Sequence, residues 1–216
     1  MLVAFEKFTE VEILRRILDG EKELYEIIVR RFNPALYKVG RSYNFNHHDT
    51  EDLMQETFID AYKSLKQFEG RAAFKTWIIR IMLHNCYRKK RKLSYQNEIA
   101  KDFNDNSTPM FSNSKNDADK IFQNRELGNI IESALSKIPF DYRMVFSLRE
   151  INGLNVAETA SLLTISENNV KVRLNRSKAM LRREIENTYS SKELFEFNLI
   201  YCDKIVKNVM NAINEL

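Results

Sequence analysis

Residues that make turns are scarce in this sequence, which has only 5 glycines and 3 prolines among 216 residues. The chain therefore has few places to reverse direction. Long segments between these places combine charged and apolar residues at helical spacing. This pattern, with 44% hydrophobic and 30% charged residues, predicts an all-helical globular protein.

Cysteines and long apolar runs are also rare. Cys86 and Cys202 provide neither the spacing of a metal site nor a disulfide framework, so a reduced cytosolic setting is expected. No stretch approaches the roughly 20 apolar residues that span a bilayer. The segment MLVAFEKFTEVEILRR has no signal-peptide profile. We therefore expect a cytoplasmic protein without membrane insertion.

Catalytic motifs are not found either. The sequence contains no P-loop, dinucleotide-binding glycine pattern, nucleophile elbow or zinc pattern. His47, His48 and Asp49 are adjacent, but they do not follow a metal-ligand spacing. We therefore expect no catalytic residues, no metal and no cofactor. The net charge is only +4, so binding to nucleic acid has to be inferred from local clusters.

Composition divides the chain into two helical parts and a linker. Residues 1–95 are rich in apolar and aromatic residues, whereas residues 96–120 are rich in Asn, Asp, Ser and Lys and predict a flexible linker. Helical periodicity returns and predicts a second domain over 121–188 and a helical extension over 189–216. For the extension we favour packing against the second domain over a regulator-binding or autoinhibitory role.

The first domain contains a helix with two distinct faces. Helices are predicted on both sides of Asn33-Pro34, because proline suits a first helical turn. Asp49 or Thr50 is the predicted cap of the next, long helix. Its core-facing residues are Leu53, Met54, Phe58, Ala61, Tyr62 and Leu65. The opposite side is largely acidic and carries Asp52, Gln55, Glu56, Ile59 and Asp60.

A second long helix, predicted from Phe74 to Lys92, ends in the basic run RKKRK at 88–92. Phe74, Trp77 and Tyr87 precede or adjoin this run on the same helix. Aromatic rings beside cations suit single-stranded DNA, whose bases stack on rings while its phosphates bind Lys and Arg. The alternative is that Phe74 and Trp77 are simply core residues.

Residues 156–176 have the outline of a helix-turn-helix. A short helix Val156–Leu163 and a turn at 164–166 precede a basic helix that Ser166 would cap. Val170 and Leu174 should face inward. The residues expected to face outward are Asn168, Asn169, Lys171, Val172, Arg173 and Arg176, which suit the DNA major groove. The alternative is a solvated basic face.

Three segments resemble a known family. DTEDLMQETFIDAY (49–62) and FEGRAAFKTWIIRI (68–81) resemble region 2 of sigma-70-family RNA polymerase sigma factors. The segment IPFDYRMVFSLREINGLNVAETASLLTISENNVKVRLNRSKAMLRR (138–183) is similar to their region 4. A chain with only these two regions, joined by a linker, resembles the extracytoplasmic-function (ECF) subfamily.

The resemblance implies a role for each segment. Core RNA polymerase would bind through its clamp coiled coil to Asp49, Asp52, Leu53, Gln55, Glu56 and Phe58, and its flap would dock around Tyr142–Leu148. The loop that captures a flipped −10 base would be Glu69, Gly70, Arg71 and Ala72. Promoter melting would involve Phe74, Lys75, Thr76, Trp77 and Arg80, and DNA phosphates would bind Arg88, Lys89 and Arg91. The double-stranded −35 element would be read by Ser166, Asn168, Asn169, Lys171, Arg173, Arg176 and Lys178.

The implied partners are core polymerase and promoter DNA, both double-stranded and melted, and an anti-sigma factor is a further candidate. Relatives usually carry glycine where this chain has Thr164. A β-branched residue tolerates positive φ poorly, so we expect a different turn geometry there. The competing function is a stand-alone helix-turn-helix regulator with a ligand-sensing or dimerising N-terminal domain. Such a regulator has no need of DTEDLMQETF. A DNA-processing enzyme would need a carboxylate cluster around a metal, which the sequence does not supply.

Overall fold

The computed structural model describes residues 8–95 and 118–188, and over these ranges the fold is all-helical, as predicted. The N-terminal half contains α1 (Glu10–Leu18), α2 (Tyr25–Ser42), α3 (His47–Lys63) and α4 (Phe74–Tyr95). The C-terminal half contains α5 (Ala118–Lys137), α6 (Phe140–Phe146), α7 (Val156–Leu163) and α8 (Glu167–Thr188). Short 3₁₀ turns occur at Lys22–Leu24 and Leu65–Gln67, and a π-helical turn at Ser147–Ile151.

Two predicted segments fall mainly outside this description. The predicted linker is described only at residues 118–120, which form the first turn of α5 rather than linker. The predicted extension 189–216 lies outside the described residues.

Helix α2 is continuous through Pro34, so the prediction of two helices flanking this proline is wrong. A proline inside a helix removes one backbone hydrogen bond and costs about 3 kcal/mol. Phe32, Leu36 and Val39 lie on both sides of Pro34 and are each at most 4% exposed. The burial of these side chains offsets the cost and keeps one helix across the core.

Helix α3 begins earlier than predicted, because its N-cap is Asn46 rather than Asp49 or Thr50. The Asn46 Oδ1 atom accepts a hydrogen bond from the Asp49 backbone N–H at 2.8 Å. Thr50 is instead fully buried, and its hydroxyl donates to the Asn46 carbonyl at 2.8 Å. Thr50 faces Gly40 of α2, where an added Cβ would lie only 2.6 Å from the Thr50 Cγ2 atom. The glycine therefore permits the close packing of α2 on α3.

Helices α7 and α8 form the predicted helix-turn-helix around a small apolar cluster of Val145, Ala160 and Val170. Between them Thr164 adopts the left-handed conformation, with φ 55° and ψ 45°. The expectation of a different geometry without glycine is therefore wrong. A left-handed residue with a Cβ costs roughly 1–2 kcal/mol. The turn retains it because the chain then continues directly into a second helix on the same cluster.

The two halves pack against each other. Met144, Leu148 and Leu154 of the C-terminal half belong to the same apolar cluster as the core of α2, α3 and α4. Arg143, only 6% exposed, reinforces this contact. Its guanidinium donates to the carbonyls of Ser42 at the end of α2 (2.8 Å) and Ser136 near the end of α5 (2.7 Å). Burial lowers the pKa of this guanidinium. The group remains charged and stabilises helix ends whose carbonyls lack helical partners.

Candidate nucleic-acid and polymerase interfaces

The first turns of α8 present a polar face to solvent. Ser166 caps the helix, as predicted, and its hydroxyl accepts from the Asn169 backbone N–H at 3.2 Å. Asn168, Asn169 and Lys171 are exposed, and Val172 is 38% exposed beside them. Amide and ammonium groups next to an aliphatic side chain match the donors, acceptors and thymine methyl of a major groove. This end of α8 therefore presents to solvent the kinds of group that can pair with base edges.

Three predicted −35 residues turn toward their own domain instead. Arg173, whose side chain is 25% exposed, lies 3.4 Å from the Asp141 carboxylate. Lys178 pairs with Glu150 at 2.9 Å, and the Arg176 guanidinium donates to the Tyr142 hydroxyl at 3.4 Å. Arg173 is therefore only partly exposed, because α6 supplies it with a carboxylate, and its contact with the −35 element stays a prediction. Lys178 and Arg176 are exposed, and each also contacts a residue of its own half.

Sequence reasoning missed Asn175, which is exposed on the same side of α8. It follows Val172 by three residues and Lys171 by four, so these side chains lie along one side of the helix together with Asn168. The signal was in the sequence, since helical spacing carries the exposed side into the third turn. We call Asn168, Lys171, Val172 and Asn175 the α8 face.

The loop before α4 is open. Glu69, Gly70, Arg71 and Ala72 are all exposed, and Gly70 has a φ of +69° that favours glycine. The Arg71 guanidinium pairs with the Glu69 carboxylate across this glycine. The loop therefore presents an exposed charged pair with open space beside Gly70.

Phe74 is a core residue, so the alternative interpretation is correct for it. It is 1% exposed, and its ring centroid lies 5.4 Å from that of Phe32 and 5.3 Å from that of Phe68. Its assignment to direct contact with melted DNA is therefore wrong in this conformation, because helix packing leaves no room for a base. Trp77 stacks at the edge of this cluster, 5.2 Å from the Phe74 centroid, and is partly buried.

Lys75, Thr76 and Arg80 contact the C-terminal half. Thr76 is 2% exposed, and its hydroxyl donates to the Glu158 carboxylate at 2.7 Å. The Lys75 ammonium donates to the Asn152 carbonyl, and Arg80 donates to the Ser161 hydroxyl at 3.1 Å. These predicted melting residues are thus occupied by α7 and the segment before it.

The basic run of α4 lies beside the acids of α3. Lys89 pairs with Asp49 at 2.5 Å, and the Arg88 guanidinium pairs with the Glu56 carboxylate. Arg91 is exposed on the next turn. Cations predicted to bind phosphates and acids predicted to bind polymerase are therefore direct neighbours.

Two of the predicted polymerase-binding residues are buried. Leu53 is 2% and Phe58 is 6% exposed, because both pack into the core beneath α3. The prediction that both residues face the core is therefore confirmed, and their part in polymerase binding stays a prediction. Ile59, which is 53% exposed, was not in the predicted binding set although it adjoins the exposed acids. The surface available to a partner, which we call the α3 face, is Asp52, Gln55, Glu56 and Ile59.

A cleft of about 290 Å³ lies where the halves meet, and it is lined by Tyr43, Tyr87, Lys90, Arg91 and Phe140. The Lys90 ammonium lies 4.0 Å from the centroid of the Phe140 ring, a cation–π contact. Sequence reasoning could not find this cleft, because its residues come from distant segments that only the packing of the halves brings together.

Other kinds of site are not visible in residues 8–95 and 118–188. Within these ranges, no group of three or more His, Cys, Asp or Glu side chains could hold a metal ion. No helix there is long and apolar enough to cross a membrane. Burial raises the pKa of the Cys86 thiol to about 12, so it is not a reactive thiolate at neutral pH.

Two comparisons with known proteins agree with this geometry. Residues 28–95 match the family Sigma-70 region 2, and residues 128–181 match Sigma-70, region 4. The chain is 28% identical over 181 residues to the ECF RNA polymerase sigma factor SigW of Bacillus subtilis, covering 81% of this chain and 95% of that protein. It is 24% identical over 185 residues to the ECF RNA polymerase sigma-E factor of Haemophilus influenzae, covering 84% and 97%.

Solved structures share the fold. CnrH, in complex with the cytosolic domain of CnrY, superposes with a TM-score of 0.59 at 22% identity, covering 82% of this chain and 97% of CnrH. RpoE of Bartonella quintana, in complex with the anti-sigma factor NepR, has a TM-score of 0.59 at 21% identity, covering 78% and 97%.

The fold and its surfaces define a two-part helical protein with a DNA-reading helix-turn-helix at one end. Both family matches fall in the expected order and span both halves, so the stand-alone regulator interpretation has no support. The chain belongs to the sigma-70 family of RNA polymerase sigma factors, in its extracytoplasmic-function group.

Proposed function

We propose that this ECF sigma factor acts in the cytoplasm as a non-catalytic subunit that brings core RNA polymerase to specific promoters and helps to melt them. Residues 1–95 would bind polymerase and the −10 element, and residues 121–188 would read the −35 element. The observation that carries this division is the presence of two separate exposed surfaces, the α3 face and the α8 face, on one chain.

The α3 face suits a basic helical partner such as the polymerase clamp. Asp52 and Glu56 supply negative charge, and Ile59 supplies an apolar contact at their side. Interfaces of this kind combine charges that steer the encounter with a few apolar anchors. Leu53 and Phe58 support this surface from below and would contribute through the position of α3.

Promoter recognition would involve binding to double-stranded DNA at the −35 element and to single-stranded DNA at the melted −10 element. The α8 face would read base edges in the −35 major groove. The loop Glu69–Ala72 and the basic end of α4 would hold melted −10 DNA, because unstacking a base costs a few kcal/mol that selective binding of the single strand can offset. RpoE of Bartonella quintana was solved with the anti-sigma factor NepR, which makes an anti-sigma factor a candidate partner of this chain.

In-vitro transcription with core RNA polymerase and a promoter library tests this function. The full chain should co-purify with core polymerase and start RNA synthesis from a defined promoter class. If the chain neither co-purifies with core polymerase nor initiates transcription from any promoter, the proposal is wrong.

Paired substitutions test the division of roles. Gln55→Ala with Glu56→Ala should weaken core binding and leave −35 selection unchanged. Asn169→Ala with Lys171→Ala should do the opposite. Glu23→Ala, an exposed carboxylate outside both faces, is the matched control and should change neither property. If both pairs weaken both properties equally, the two faces do not have separate roles.

A further inference from the structure

A second cleft lies where α2 meets the first turn of α4 and the end of the π-helical turn. Its volume is about 330 Å³, at the lower end of the range of roughly 300–1,000 Å³ that small-molecule sites occupy. We call it the Asn152 cleft, after the most deeply buried polar residue of its lining. The cleft is large enough to hold a small molecule.

The charges that line the Asn152 cleft all have one sign. Arg31 and Lys38 of α2 and Lys75 of α4 contribute three cations, and none of the described lining residues is acidic. Arg31 and Lys38 are about two helical turns apart, so they lie along the same side of α2. Cations that share one space repel each other, and an anion between them removes this repulsion. The lining therefore favours an anionic ligand.

Lys75 is held in place at the edge of this cleft. Its ammonium group donates a hydrogen bond to the Asn152 backbone carbonyl. An ammonium group has three N–H donors, so this contact leaves two for a ligand. A charged donor that is already fixed loses less side-chain entropy on binding than a free one. Lys75 is therefore preorganised to bind an anion.

The Asn152 side chain indicates a second requirement, a hydrogen-bond donor on the ligand. Asn152 is 3% exposed, and its Nδ2 atom donates to the Ser147 carbonyl at 3.1 Å, which fixes the orientation of the amide. Its Oδ1 atom is buried and has no hydrogen-bond partner among the described residues. A buried acceptor without a donor destabilises the fold. A ligand hydroxyl in the cleft would supply the donor that this atom lacks.

The remaining lining is apolar and comes mainly from Pro34, Ala35 and Ile151. We propose that the Asn152 cleft binds a sugar phosphate, either free or as part of a nucleotide. The phosphate makes charge-assisted hydrogen bonds to the three cations. A sugar hydroxyl donates to the Asn152 Oδ1 atom, and the carbon skeleton of the ligand lies against the apolar side.

This inference goes beyond the proposed function, which assigns no polymerase or promoter contact to Arg31 or Lys38. Lys75 alone is shared with the proposed melting surface. Ligand binding can be measured on the full chain without polymerase or DNA, so its outcome is separate from that of the transcription assay. A chain that initiates transcription but binds no sugar phosphate would refute only the ligand site.

Isothermal titration calorimetry at constant ionic strength tests the site. The probes are AMP, GMP, ribose 5-phosphate and glucose 6-phosphate, with adenosine and inorganic phosphate as references. We expect at least one probe to bind once per chain and roughly tenfold more tightly than both references, because adenosine lacks the charge and inorganic phosphate lacks the sugar. Tighter binding of the nucleotides identifies a nucleotide site, and the reverse order identifies a site for a free sugar phosphate. If no probe binds more tightly than both references, the proposal is wrong.

A double substitution locates the binding in the cleft. Arg31→Gln with Lys38→Gln removes two of the three cations and should weaken binding of the best probe by roughly tenfold or more. Arg30→Gln with Lys63→Gln is the matched control, because it removes the same charges from exposed positions outside the lining, and it should change the affinity little. If both double variants weaken binding equally, the total charge of the chain explains the effect and the cleft is not the site.

The hydroxyl contact can be tested without any substitution. In a chain labelled with ¹⁵N, the side-chain amide signals of Asn152 should shift as the best probe saturates the cleft, because the Oδ1 atom gains a donor. The side-chain signals of Asn169, which is exposed on α8, should not shift. Unchanged Asn152 signals at saturation would contradict the assignment of the ligand to this cleft.

Promoter DNA is the competing occupant, because its backbone also carries phosphate. The Arg31→Gln with Lys38→Gln chain should lose the sugar phosphate and keep its affinity for a short single-stranded DNA of random sequence. If it loses affinity for the DNA while no sugar phosphate binds the unaltered chain, these cations belong to a DNA surface and the proposed ligand is wrong.

Discussion

The two surfaces proposed to bind promoter DNA differ in how ready they are to do so. Asn168, Lys171 and Asn175 on the α8 face are exposed as they stand. In the N-terminal half, by contrast, Thr76 is buried against Glu158, and Lys89 is paired with Asp49. The surface proposed for duplex DNA is therefore exposed already, whereas the surface proposed for melted DNA is occupied by other contacts within the chain.

The difference follows from where each surface lies. The α8 face is the exposed side of a helix that packs on α5, α6 and α7 of its own half, while the middle of α4 contacts α7 across the junction. A surface at a junction can be controlled by relative movement of the two parts, and an outlying helix cannot. Substitutions can test this contrast in both halves.

The largest expected effect is on stability, and it distinguishes a core residue from a proposed DNA-contacting residue in the N-terminal half. Phe74→Ala should lower the free energy of unfolding by about 3–5 kcal/mol, because it removes a buried ring from an aromatic cluster. Arg71→Ala, in the exposed loop, should leave stability within about 0.5 kcal/mol and weaken binding of melted DNA. Denaturant unfolding with a single-strand binding assay checks both. A Phe74→Ala chain of full stability but lost DNA binding would restore its assignment as a DNA-contacting residue.

The next effect concerns the joint between the halves. Arg143→Met should destabilise the chain by about 3 kcal/mol, because several buried carbonyls lose a charged donor. Arg143→Lys, which retains charge but not the planar fork, should recover only part of the loss. Guanidinium unfolding monitored separately at Trp77 and by far-UV circular dichroism is the measurement. Separate transitions are expected for Arg143→Met, and an unchanged midpoint would show that Arg143 does not join the halves.

A smaller effect tests base against phosphate contacts along α8. Asn168→Ala should cost about 1–3 kcal/mol in discrimination between −35 sequences, because a bidentate amide contact to a base would be lost. Lys178→Ala, two turns beyond Lys171 and half exposed beside Glu150, should weaken binding about equally for all sequences and reduce the salt slope by about one. Binding titrations at several salt concentrations against duplex variants distinguish the two. Equal loss of discrimination in both variants would contradict this assignment of base and phosphate contacts.

A substitution in the turn of the helix-turn-helix should increase stability. Thr164→Gly should raise the free energy of unfolding by about 1 kcal/mol, since glycine adopts the left-handed conformation without the Cβ penalty. Thr164→Ala retains the Cβ and should gain less. Thermal unfolding of the three chains provides the comparison, and a destabilised Thr164→Gly chain would mean that the threonine side chain compensates for its backbone.

The smallest effect concerns the exposed ion pair between the proposed polymerase and DNA surfaces. Glu56→Gln removes the partner of Arg88, and with side chains about half exposed the change in stability should not exceed about 0.5 kcal/mol. A larger loss, measured by denaturant unfolding, would show that α3 and α4 depend on this pair.

Much of this architecture could be predicted from the sequence, because apolar spacing and helix caps act over a few residues. Val156–Leu163 and the buried Val170 were predicted correctly for this reason. The helix break predicted at Pro34 was wrong, because local preference could not show that Phe32 and Leu36, on either side of the proline, are both buried in the core. Leu53 and Phe58 were predicted as core-facing from their spacing, and their burial confirms this. For Phe74 the sequence left a melting role and a core position open, and only packing decides between them.

The contacts between the halves could not be predicted at all. Thr76 and Glu158 are 82 residues apart in the chain, and neither carries a local signal that specifies the other. The sequence could therefore propose site residues, but it could not show which of them are covered by contacts between the halves.

The buried guanidinium of Arg143 gives the joint a dependence on temperature. Separation of the halves returns this charge to water, and the hydration of charged groups becomes less favourable as temperature rises. The apolar surface shared by Met144 and Leu148 with the N-terminal core does not weaken on moderate warming either, because hydrophobic burial is weakened by cooling. Both of these contributions to the joint are therefore weaker in the cold than at moderate temperature.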